Sequence, residues 1–355
     1  MWIVAIAGTL AYPASSLWAA DTTPPTKPVV TATGTFTATE RALRAGWTSS
    51  DPESGIAACQ YQILSSSSST PIVNWTSTGV STSVARANLS LTQGRSYYFT
   101  VKTKNGAGLW STPGSSNAVL VDFTPPSPPV SPIEGPSPTS RIDDDYDADG
   151  SYWVSWLPAN DQESGIDTYE LQEQRGPDGS WTSLGLVPSL YFKISGRPQN
   201  TRAVYRVRAK NRVGLWSDWS PPSDGILVDK TPPSPVTVSG DGLVTASRTR
   251  LHATWTAARD PESGIVDYQY QIIELAPRVT RLPVNWASVG TSTEFTRTDL
   301  PLKAGGTYYV AVRARNGSGL SSYGISMRIR VEVDTTPPVV RITYPTKGML
   351  LRAAK

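Results

Sequence analysis

The chain has 355 residues, of which 38% are hydrophobic and 17% charged, and its 32 Lys and Arg residues nearly balance its 29 Asp and Glu residues. Because no basic run occurs, the sequence lacks the concentrated basic surface that is typical of nucleic-acid-binding proteins. Cys59 and His252 are the only residues of their types, which excludes a disulfide framework, a thiolate metal cluster and a two-histidine metal site, and no cofactor is expected.

The N-terminal segment has the pattern of an export signal. Residues 2–14 are almost entirely apolar, small residues follow, and the first charge is Asp21. The apolar run is shorter than the ~20 residues that a membrane span requires, and no other stretch predicts a span. We therefore expect residues 1–20 to be a signal peptide and the protein to be secreted or attached to the cell surface. Because no Lys or Arg precedes the apolar run, the alternatives are a misassigned or truncated start and a buried first strand.

The motif Asp-x-Thr-Pro-Pro divides the rest of the chain, since it occurs at Asp21, Asp122, Asp229 and Asp334. Its spacing of roughly 100 residues matches a whole small domain and exceeds the length of a solenoid repeat. The sequence therefore predicts three domains, in residues 21–121, 122–228 and 229–333. Residues 334–355 are expected to form a linker and the start of a further, truncated β domain, which would make the chain a fragment of a longer protein.

Each interval contains the same landmarks in the same order. A Trp leads into an acidic turn, a second Trp follows, and a long strand pattern ends in Asn and a Gly-containing turn. The first Trp of each interval is Trp47, Trp156 or Trp255, and the acidic turns begin at Asp51, Asp161 and Asp260. The second Trp is Trp75, Trp181 or Trp286, and the closing Asn is Asn105, Asn211 or Asn316.

The apolar pattern of each interval has a period of two. In the third interval Tyr308, Val310, Val312 and Ala314 alternate with residues that include Arg313. Such alternation predicts antiparallel strands that cover one side of a core. Because turn residues recur every ~8–12 positions and no long helical period is present, we predict an all-β chain of three tandem seven-stranded, immunoglobulin-like β-sandwiches.

These residues resemble the fibronectin type III family over residues 21–333. The resemblance rests on the Trp of strand B, on Tyr169 and Tyr268 after the Gly-Ile turn, and on the segment from Leu302 to Tyr308. That segment is similar to the tyrosine corner of the family, in which a Tyr hydroxyl binds the backbone and fixes the crossing between the sheets. Two departures are expected: Ala203 takes the corner position in the middle interval, and Cys59 replaces the strand-C Tyr as a small buried residue.

The acidic turns offer three carboxylate pairs, Asp51/Glu53, Asp161/Glu163 and Asp260/Glu262. Paired carboxylates serve glycosidases, but a threefold repeat of one turn favours a structural role, and no enzyme activity is expected. In a seven-stranded sandwich these B–C turns share a pole with the F–G turns and the incoming Asp-x-Thr-Pro-Pro segment. We therefore expect linker and loops to pack together and hold consecutive domains at a defined angle. A calcium ion shared by a linker Asp and the B–C carboxylates is an alternative.

The densest acidic segment runs from Asp143 to Gly150 in the middle interval. Its pattern matches the first half of a calcium loop, with Asp145, Asp147 and Asp149 as the candidate metal ligands. Trp156 stands where the loop's bidentate Glu would be, and no helix pattern flanks the segment. The sequence favours a solvated turn between strands A and B, with weak calcium binding at these three residues as the alternative.

Several Trp residues have no role in the repeat pattern. Trp216-Ser217-Asp218-Trp219-Ser220 resembles the Trp-Ser-x-Trp-Ser motif of class I cytokine receptors, and Arg206, Arg208 and Lys210 precede it on the outer face. We expect a cation–π ladder that reinforces the fold. Most other Trp residues are expected to face the core, and only Trp110, Trp153 and Trp219 remain as candidates for stacking on glycans.

These observations predict a non-catalytic extracellular scaffold or spacer that mediates adhesion or interaction with an extracellular protein or glycan. It would be a monomeric, elongated array without nucleic-acid partners or a membrane span. The alternative is an ancillary region of a secreted polysaccharide-degrading enzyme whose catalytic domain lies outside this chain.

Overall fold

The computed structural model describes residues 20–332 except residues 69, 277 and 278, and it also describes residues 338 and 339. The predicted signal peptide therefore lies outside the described residues apart from its last position. The predicted further β domain after Asp334 lies outside them as well, apart from the two residues just named. Within the described part, no helix has the length and apolarity needed to cross a membrane.

The described residues form 26 strands, which fall into three consecutive groups. The first group consists of β1 (Val29–Ala32), β2 (Phe36–Thr37), β3 (Leu43–Thr48), β4 (Ile56–Ser65), β5 (Pro71–Gly79), β6 (Ser83–Arg86), β7 (Ser96–Asn105), β8 (Gly114–Ser115) and β9 (Val119–Val121). The second consists of β10 (Ile133–Gly135), β11 (Tyr146–Asp147), β12 (Trp153–Ser155), β13 (Ile166–Arg175), β14 (Thr182–Val187), β15 (Tyr191–Lys193), β16 (Arg202–Asn211) and β17 (Ile226–Val228). The third consists of β18 (Val238–Gly240), β19 (Val244–Thr245), β20 (Leu251–Trp255), β21 (Ile265–Ala276), β22 (Val279–Ser288), β23 (Glu294–Arg297), β24 (Thr307–Asn316), β25 (Ser321–Ile325) and β26 (Ile329–Val331).

Each group builds two facing sheets with the same topology. In the first group one sheet has the order β1-β3-β6 and the other the order β2-β9-β7-β4-β5, with β8 also paired to β7. In letters, these are an A–B–E sheet and an A′–G–F–C–C′ sheet, in which the first strand is split between the two sheets. The A′ segment pairs in parallel with strand G in all three groups. The predicted fold, three tandem seven-stranded β-sandwiches, is confirmed.

The hydrophobic core of each sandwich comes from the predicted alternation. Along strand F of the third sandwich, the side chains of Tyr308, Val310, Val312 and Ala314 are fully buried, whereas the residues between them are half-buried. Burying a large aliphatic side chain contributes about 1.5–3 kcal/mol. Three separate clusters of buried residues, one per sandwich, therefore provide most of the stability.

The tyrosine corner is present where the sequence predicted it. The hydroxyl of Tyr97 accepts a hydrogen bond from the Thr92 amide at 3.1 Å, and the hydroxyl of Tyr308 accepts one from the Lys303 amide at 2.9 Å. Ala203 takes the corresponding position in the middle sandwich, where it pairs with Ile226 of strand G as Tyr97 pairs with Val119. The middle domain therefore lacks this hydrogen bond. Cys59 is a buried free thiol, as expected.

The middle sandwich has a polar core that the sequence pattern did not reveal. Counted from the shared landmarks, Tyr152, Glu173, Arg197 and Tyr205 replace Leu251, Ile272, Leu302 and Val310 of the third sandwich. The Tyr152 and Tyr205 hydroxyls lie 2.9 Å apart, and Tyr205 donates to Glu173 Oε1 at 2.9 Å. Arg197 Nη2 lies 2.7 Å from the same oxygen. Burial raises the pKa of Tyr152 to about 12 and also raises the pKa of Tyr205, so both phenols remain neutral.

Candidate functional site at the domain junctions

The feature that recurs in all three domains is a polar cluster at the pole where the chain enters each sandwich. It joins three segments: the Asp-x-Thr-Pro-Pro motif, the acidic B–C turn and the F–G turn. The structure brings these segments together as the sandwich topology predicted. We call this arrangement the junction network.

An Asn side chain lies at the centre of each junction network. In the third domain, Asn316 Nδ2 lies 2.9 Å from Asp229 Oδ2, 3.0 Å from Asp260 Oδ2 and 3.0 Å from the Thr231 carbonyl oxygen. The Ser263 hydroxyl donates to the same Asp229 oxygen at 2.5 Å. The equivalent contacts of the other domains involve Asn105, Asp21, Asp51, Thr23 and Ser54, and Asn211, Asp122, Asp161, Thr124 and Ser164. One amide thus ties the linker, the B–C turn and the F–G turn together.

Local turn chemistry holds the carboxylates in place. The other oxygen of Asp229 accepts hydrogen bonds from the amide and hydroxyl of Thr231, two residues later, which explains the Asp-x-Thr spacing. In the B–C turn, Asp260 Oδ1 accepts from the amides of Ser263 and Gly264. Gly264 has a φ of 70°, a left-handed conformation that glycine adopts without steric cost. The repeated Ser-Gly of the acidic turn is therefore structural.

The linker carboxylates at the second and third junctions are fully buried and ionised. Asp122 and Asp229 are both 0% exposed. Burial opposes ionisation, but hydrogen bonds from Ser164, Gln93 and Thr124 more than compensate and hold the pKa of Asp122 below its usual value. Ser263, Gln199 and Thr231 lower the pKa of Asp229 in the same way. These donors are neutral, so the networks stabilise negative charge without an ion pair.

A glutamine from the preceding domain also holds the linker. Gln93 Nε2 donates to Asp122 Oδ1 at 3.1 Å and its Oε1 accepts from the Phe123 amide at 2.8 Å. Gln199 donates to Asp229 Oδ1 at 3.2 Å and to Glu262 Oε1 at 3.4 Å. Neither glutamine was predicted from the sequence. The available signal was their shared position, four residues before the tyrosine-corner position, where the third domain has Ala304.

Two of the junctions also bring three carboxylates together. Carboxylate oxygens of Asp21, Asp51 and Glu53 lie within 4.8 Å of one another, as do those of Asp229, Asp260 and Glu262. The middle junction has no such group among the residues that the structure describes. Asn, Ser and backbone donors already bind these oxygens, but the donors are neutral and leave the negative charge of each group in place. Calcium binding at the junctions stays a prediction.

The structure does not bring the predicted calcium ligands Asp145, Asp147 and Asp149 together. Strand β11 contains Asp147 and pairs with strand G, so the segment is more ordered than the solvated turn we expected. Asp147 Oδ2 accepts hydrogen bonds from the amides of Asp149, Gly150 and Ser151 and thereby caps the following turn. Among the described residues, the three carboxylates form no group with oxygens within 4.8 Å. Calcium binding at these residues stays a prediction.

His252 has acidic neighbours that the sequence pattern did not indicate. Its Nδ1 lies 3.5 Å from Asp241 Oδ1 and its Nε2 lies 3.7 Å from Glu294 Oε2. Thr254 lies opposite Glu294 in the pairing of strands B and E. His252 is two residues before Thr254 and on the same face of strand B, so its ring lies beside Glu294. Since both ring nitrogens face carboxylates, neither is placed to activate a nucleophile, and the group does not form a catalytic triad.

The predicted cation–π ladder is present on the outer face of the middle sandwich. The Arg206 guanidinium lies 4.3 Å from the Trp181 ring centroid and 4.5 Å from that of Trp219, and Arg208 lies 4.5 Å from both Trp216 and Trp219. In the other domains Lys102 lies over Trp75 and Trp110, and Arg313 lies over Trp286. The second Trp of each repeat therefore lies on the outer face, and our expectation that it faces the core was wrong.

The ladder predicts a stability effect for Arg206. Replacing Arg206 by Ala exposes two ring faces and is expected to lower the free energy of unfolding by about 1–2 kcal/mol. Arg206→Lys should retain part of this, because Lys102 makes the same kind of contact with Trp75 and Trp110 in the first domain. Urea unfolding followed by Trp fluorescence measures the change. Arg212→Ala, at an exposed F–G turn position, serves as the control, and an equal loss in both Ala variants would contradict a stabilising ladder.

No protein-family model matches the chain. Exoglucanase B from Cellulomonas fimi is 26% identical over 335 residues, which cover 91% of this chain and 27% of that protein. Human neural cell adhesion molecule L1 is 31% identical over 180 residues, which cover 47% of this chain and 13% of that protein. The chain thus spans less than a third of the length of these relatives.

Two solved structures match most of the chain at low sequence identity. The chicken CNTN1 FN1-FN3 domains are 18% identical, with a TM-score of 0.36, over 87% of this chain and 98% of that one. A three-domain segment of titin is 17% identical, with a TM-score of 0.41, over 86% of this chain and 99% of that one.

Proposed function

Because the chain consists of three tandem domains of the fibronectin type III fold, we propose that it is a non-catalytic extracellular spacer and scaffold. The single observation that carries this proposal is the junction network, repeated at the entry of each domain. A polar cluster that uses nearly all of its donors and acceptors internally is suited to fixing geometry. Few of its donors and acceptors are therefore free to bind a substrate.

The junctions would keep consecutive domains at a defined angle. Pro-Pro restricts the linker backbone to extended conformations. Hydrogen bonds from Gln93 and Gln199 link each linker to the domain before it, while Asn211 and Asn316 link it to the domain after it. A linker held from both sides transmits orientation between domains. We accordingly propose domain limits at 21–121, 122–228 and 229–333 and a semi-rigid, monomeric array.

The proposed partner is an extracellular protein or glycan, and the proposed location is outside the cell or on its surface. Similarity to neural cell adhesion molecule L1 supports an adhesive role. The outer Trp faces of the middle domain are less suited to sugars, because Arg206 and Arg208 already cover the rings of Trp181, Trp216 and Trp219. Protein contacts through the loops are therefore favoured.

A second candidate function is supported by the match to Exoglucanase B, which covers 91% of this chain. In that case the array would be the ancillary region of a secreted polysaccharide-degrading enzyme. Sequencing the gene on both sides of the present chain distinguishes the two candidates. An adjoining hydrolase domain supports the ancillary role, whereas further sandwiches or a surface anchor support the adhesive scaffold.

Small-angle X-ray scattering tests the spacer proposal. Replacing Gln93 and Gln199 by Ala removes hydrogen bonds on the preceding-domain side of both linkers, so we expect the scattering profile to change toward that of a flexible array. The melting temperature should stay within about 2 °C, because the substitutions leave the cores intact. Gln60→Ala with Gln62→Ala, on the half-buried outer positions of β4, is the matched control. Identical scattering from both double variants would refute the proposed role of the glutamines.

A further inference from the structure

A second acidic cluster lies in the middle domain, away from the junction network. Its central residue, Glu134, lies in strand A, where the first and third domains have Ala32 and Gly240. Glu134 is 0% exposed, and neither of its carboxylate oxygens has a hydrogen-bond partner. Burying an unpartnered carboxyl group costs free energy, so a residue at a position that elsewhere holds a small side chain requires a compensating interaction.

Two further carboxylates face Glu134. One oxygen each from Glu134, Asp143 and Asp224 lies within 4.8 Å of the others. The Glu134 amide donates to Asp143 Oδ1 at 3.0 Å and fixes that carboxylate, whereas Arg202 Nη2 donates to the main-chain carbonyl of Asp224 at 2.9 Å and holds the turn that contains it. Both aspartates are exposed. The cluster therefore has a buried floor and a rim that is open to water.

The charges in this cluster are not balanced by protein groups. Among the described residues, no salt bridge involves Glu134, Asp143 or Asp224. Water solvates the two exposed aspartates, but the buried carboxyl group of Glu134 needs either a proton or a cation to neutralise it.

We propose that Glu134, Asp143 and Asp224 bind one Ca²⁺ ion. The candidate ligands are all oxygen atoms, which suits a hard cation and disfavours zinc or copper. Ca²⁺ takes 6–8 oxygen ligands in variable geometry, so water can complete the shell at the exposed rim. Ca²⁺ is preferred to Mg²⁺ because three carboxylates on separate segments, one of them fully buried, suit a large and weakly hydrated ion.

This site differs from the calcium loop that the sequence suggested. The Asp-rich segment contributes its first residue, Asp143, while the remaining ligands come from strand A and from the turn before strand G. Sequence spacing could not reveal this combination, because Glu134 and Asp224 are far apart along the chain. They come together only because strand G returns to lie between A′ and F, which places the turn before it near strand A.

Isothermal titration of the full chain with CaCl₂, after removal of metal with EDTA, tests the proposal. We expect Glu134→Gln, Asp143→Asn and Asp224→Asn each to weaken Ca²⁺ binding by about tenfold or more, since affinity follows the number of charged ligands. The matched controls are Asp145→Asn with Asp149→Asn, which probes the sequence-predicted loop, and Glu53→Gln with Glu262→Gln, which probes the junctions. Both controls should bind Ca²⁺ as the unmodified chain does.

Proton release provides a second readout. If Ca²⁺ displaces the proton of Glu134, binding at pH 7 should release protons, and the measured enthalpy should depend on the ionisation enthalpy of the buffer. Glu134→Gln should abolish this dependence. In EDTA, the Glu134→Gln variant should be at least as stable as the unmodified chain, because the amide cannot ionise. A folding defect would lower this stability, whereas loss of Ca²⁺ binding alone would not. Absence of Ca²⁺ binding by the unmodified chain, or undiminished binding by Glu134→Gln, would overturn the proposal.

Discussion

Glu173→Ala is expected to lower the free energy of unfolding of the middle domain by about 3–5 kcal/mol, the range found when one partner of a buried ion pair is removed. The Glu173 side chain is 2% exposed and that of its partner Arg197 only 15%. Removing the carboxylate leaves the guanidinium without a counter-charge. It also removes the acceptor of Tyr205, whose hydroxyl would then depend on Tyr152 alone.

Differential scanning calorimetry or urea unfolding of the full chain measures this loss. Glu274→Ala in the third domain is the matched control: Glu274 is also largely buried, but its partner Lys303 is 53% exposed. Water can solvate that ammonium group when the carboxylate is gone, so we expect a cost of about 1 kcal/mol or less. Equal losses in the two variants would contradict the idea that the buried charge of Arg197 causes the effect.

Replacing the whole polar core gives the opposite expectation. Tyr152→Leu, Glu173→Ile, Arg197→Leu and Tyr205→Val together install the residues of the third domain. Because exchange of a buried ion pair for packed hydrophobic residues is often neutral or stabilising, this combined variant should be at least as stable as the unmodified chain. A large destabilisation would show that the polar core contributes net stability.

Much of the fold could be predicted from the sequence because it depends on patterns that repeat. The period-two alternation of Tyr308 to Ala314 fixes which strand face is buried, and the threefold landmarks fix the number of sandwiches. The polar core escaped prediction because Tyr152, Glu173, Arg197 and Tyr205 are separated in sequence and each alone resembles an ordinary surface or strand residue. Only strand pairing shows that they replace core residues.

The junction network was predictable in outline, since sandwich topology dictates which loops share a pole with the linker. Its donors were less predictable. Gln93 and Gln199 belong to the preceding domain, so no pattern within one repeat connects them to Asp122 and Asp229. The position of the second Trp of each repeat was mispredicted because a large aromatic residue was assigned to the core, although cations on strand F offer its ring a favourable outer position.

Asn316→Ala should be the most damaging single change in a junction network, with an expected loss of about 2–4 kcal/mol in the third domain. Asp229 is 0% exposed and would lose a donor that no water molecule can easily replace. Asn105→Ala is the matched control, because its linker partner Asp21 is partly exposed and water can take over the role of the amide. We therefore expect a smaller loss in the first domain, measured by thermal unfolding at pH 7.

The pH dependence of the Asn316→Ala variant supplies a separate check. Hydrogen bonds hold the folded-state pKa of Asp229 below its ordinary value, so its ionised form stabilises the domain above the unfolded-state pKa of about 3.9. That contribution is lost as the pH falls through the lower folded-state pKa. Removing one donor should raise the folded-state pKa of Asp229, so acid unfolding of the variant should begin at a higher pH. An unchanged acid midpoint would show that the amide does not stabilise the carboxylate charge and acts only as a geometric link between the loops.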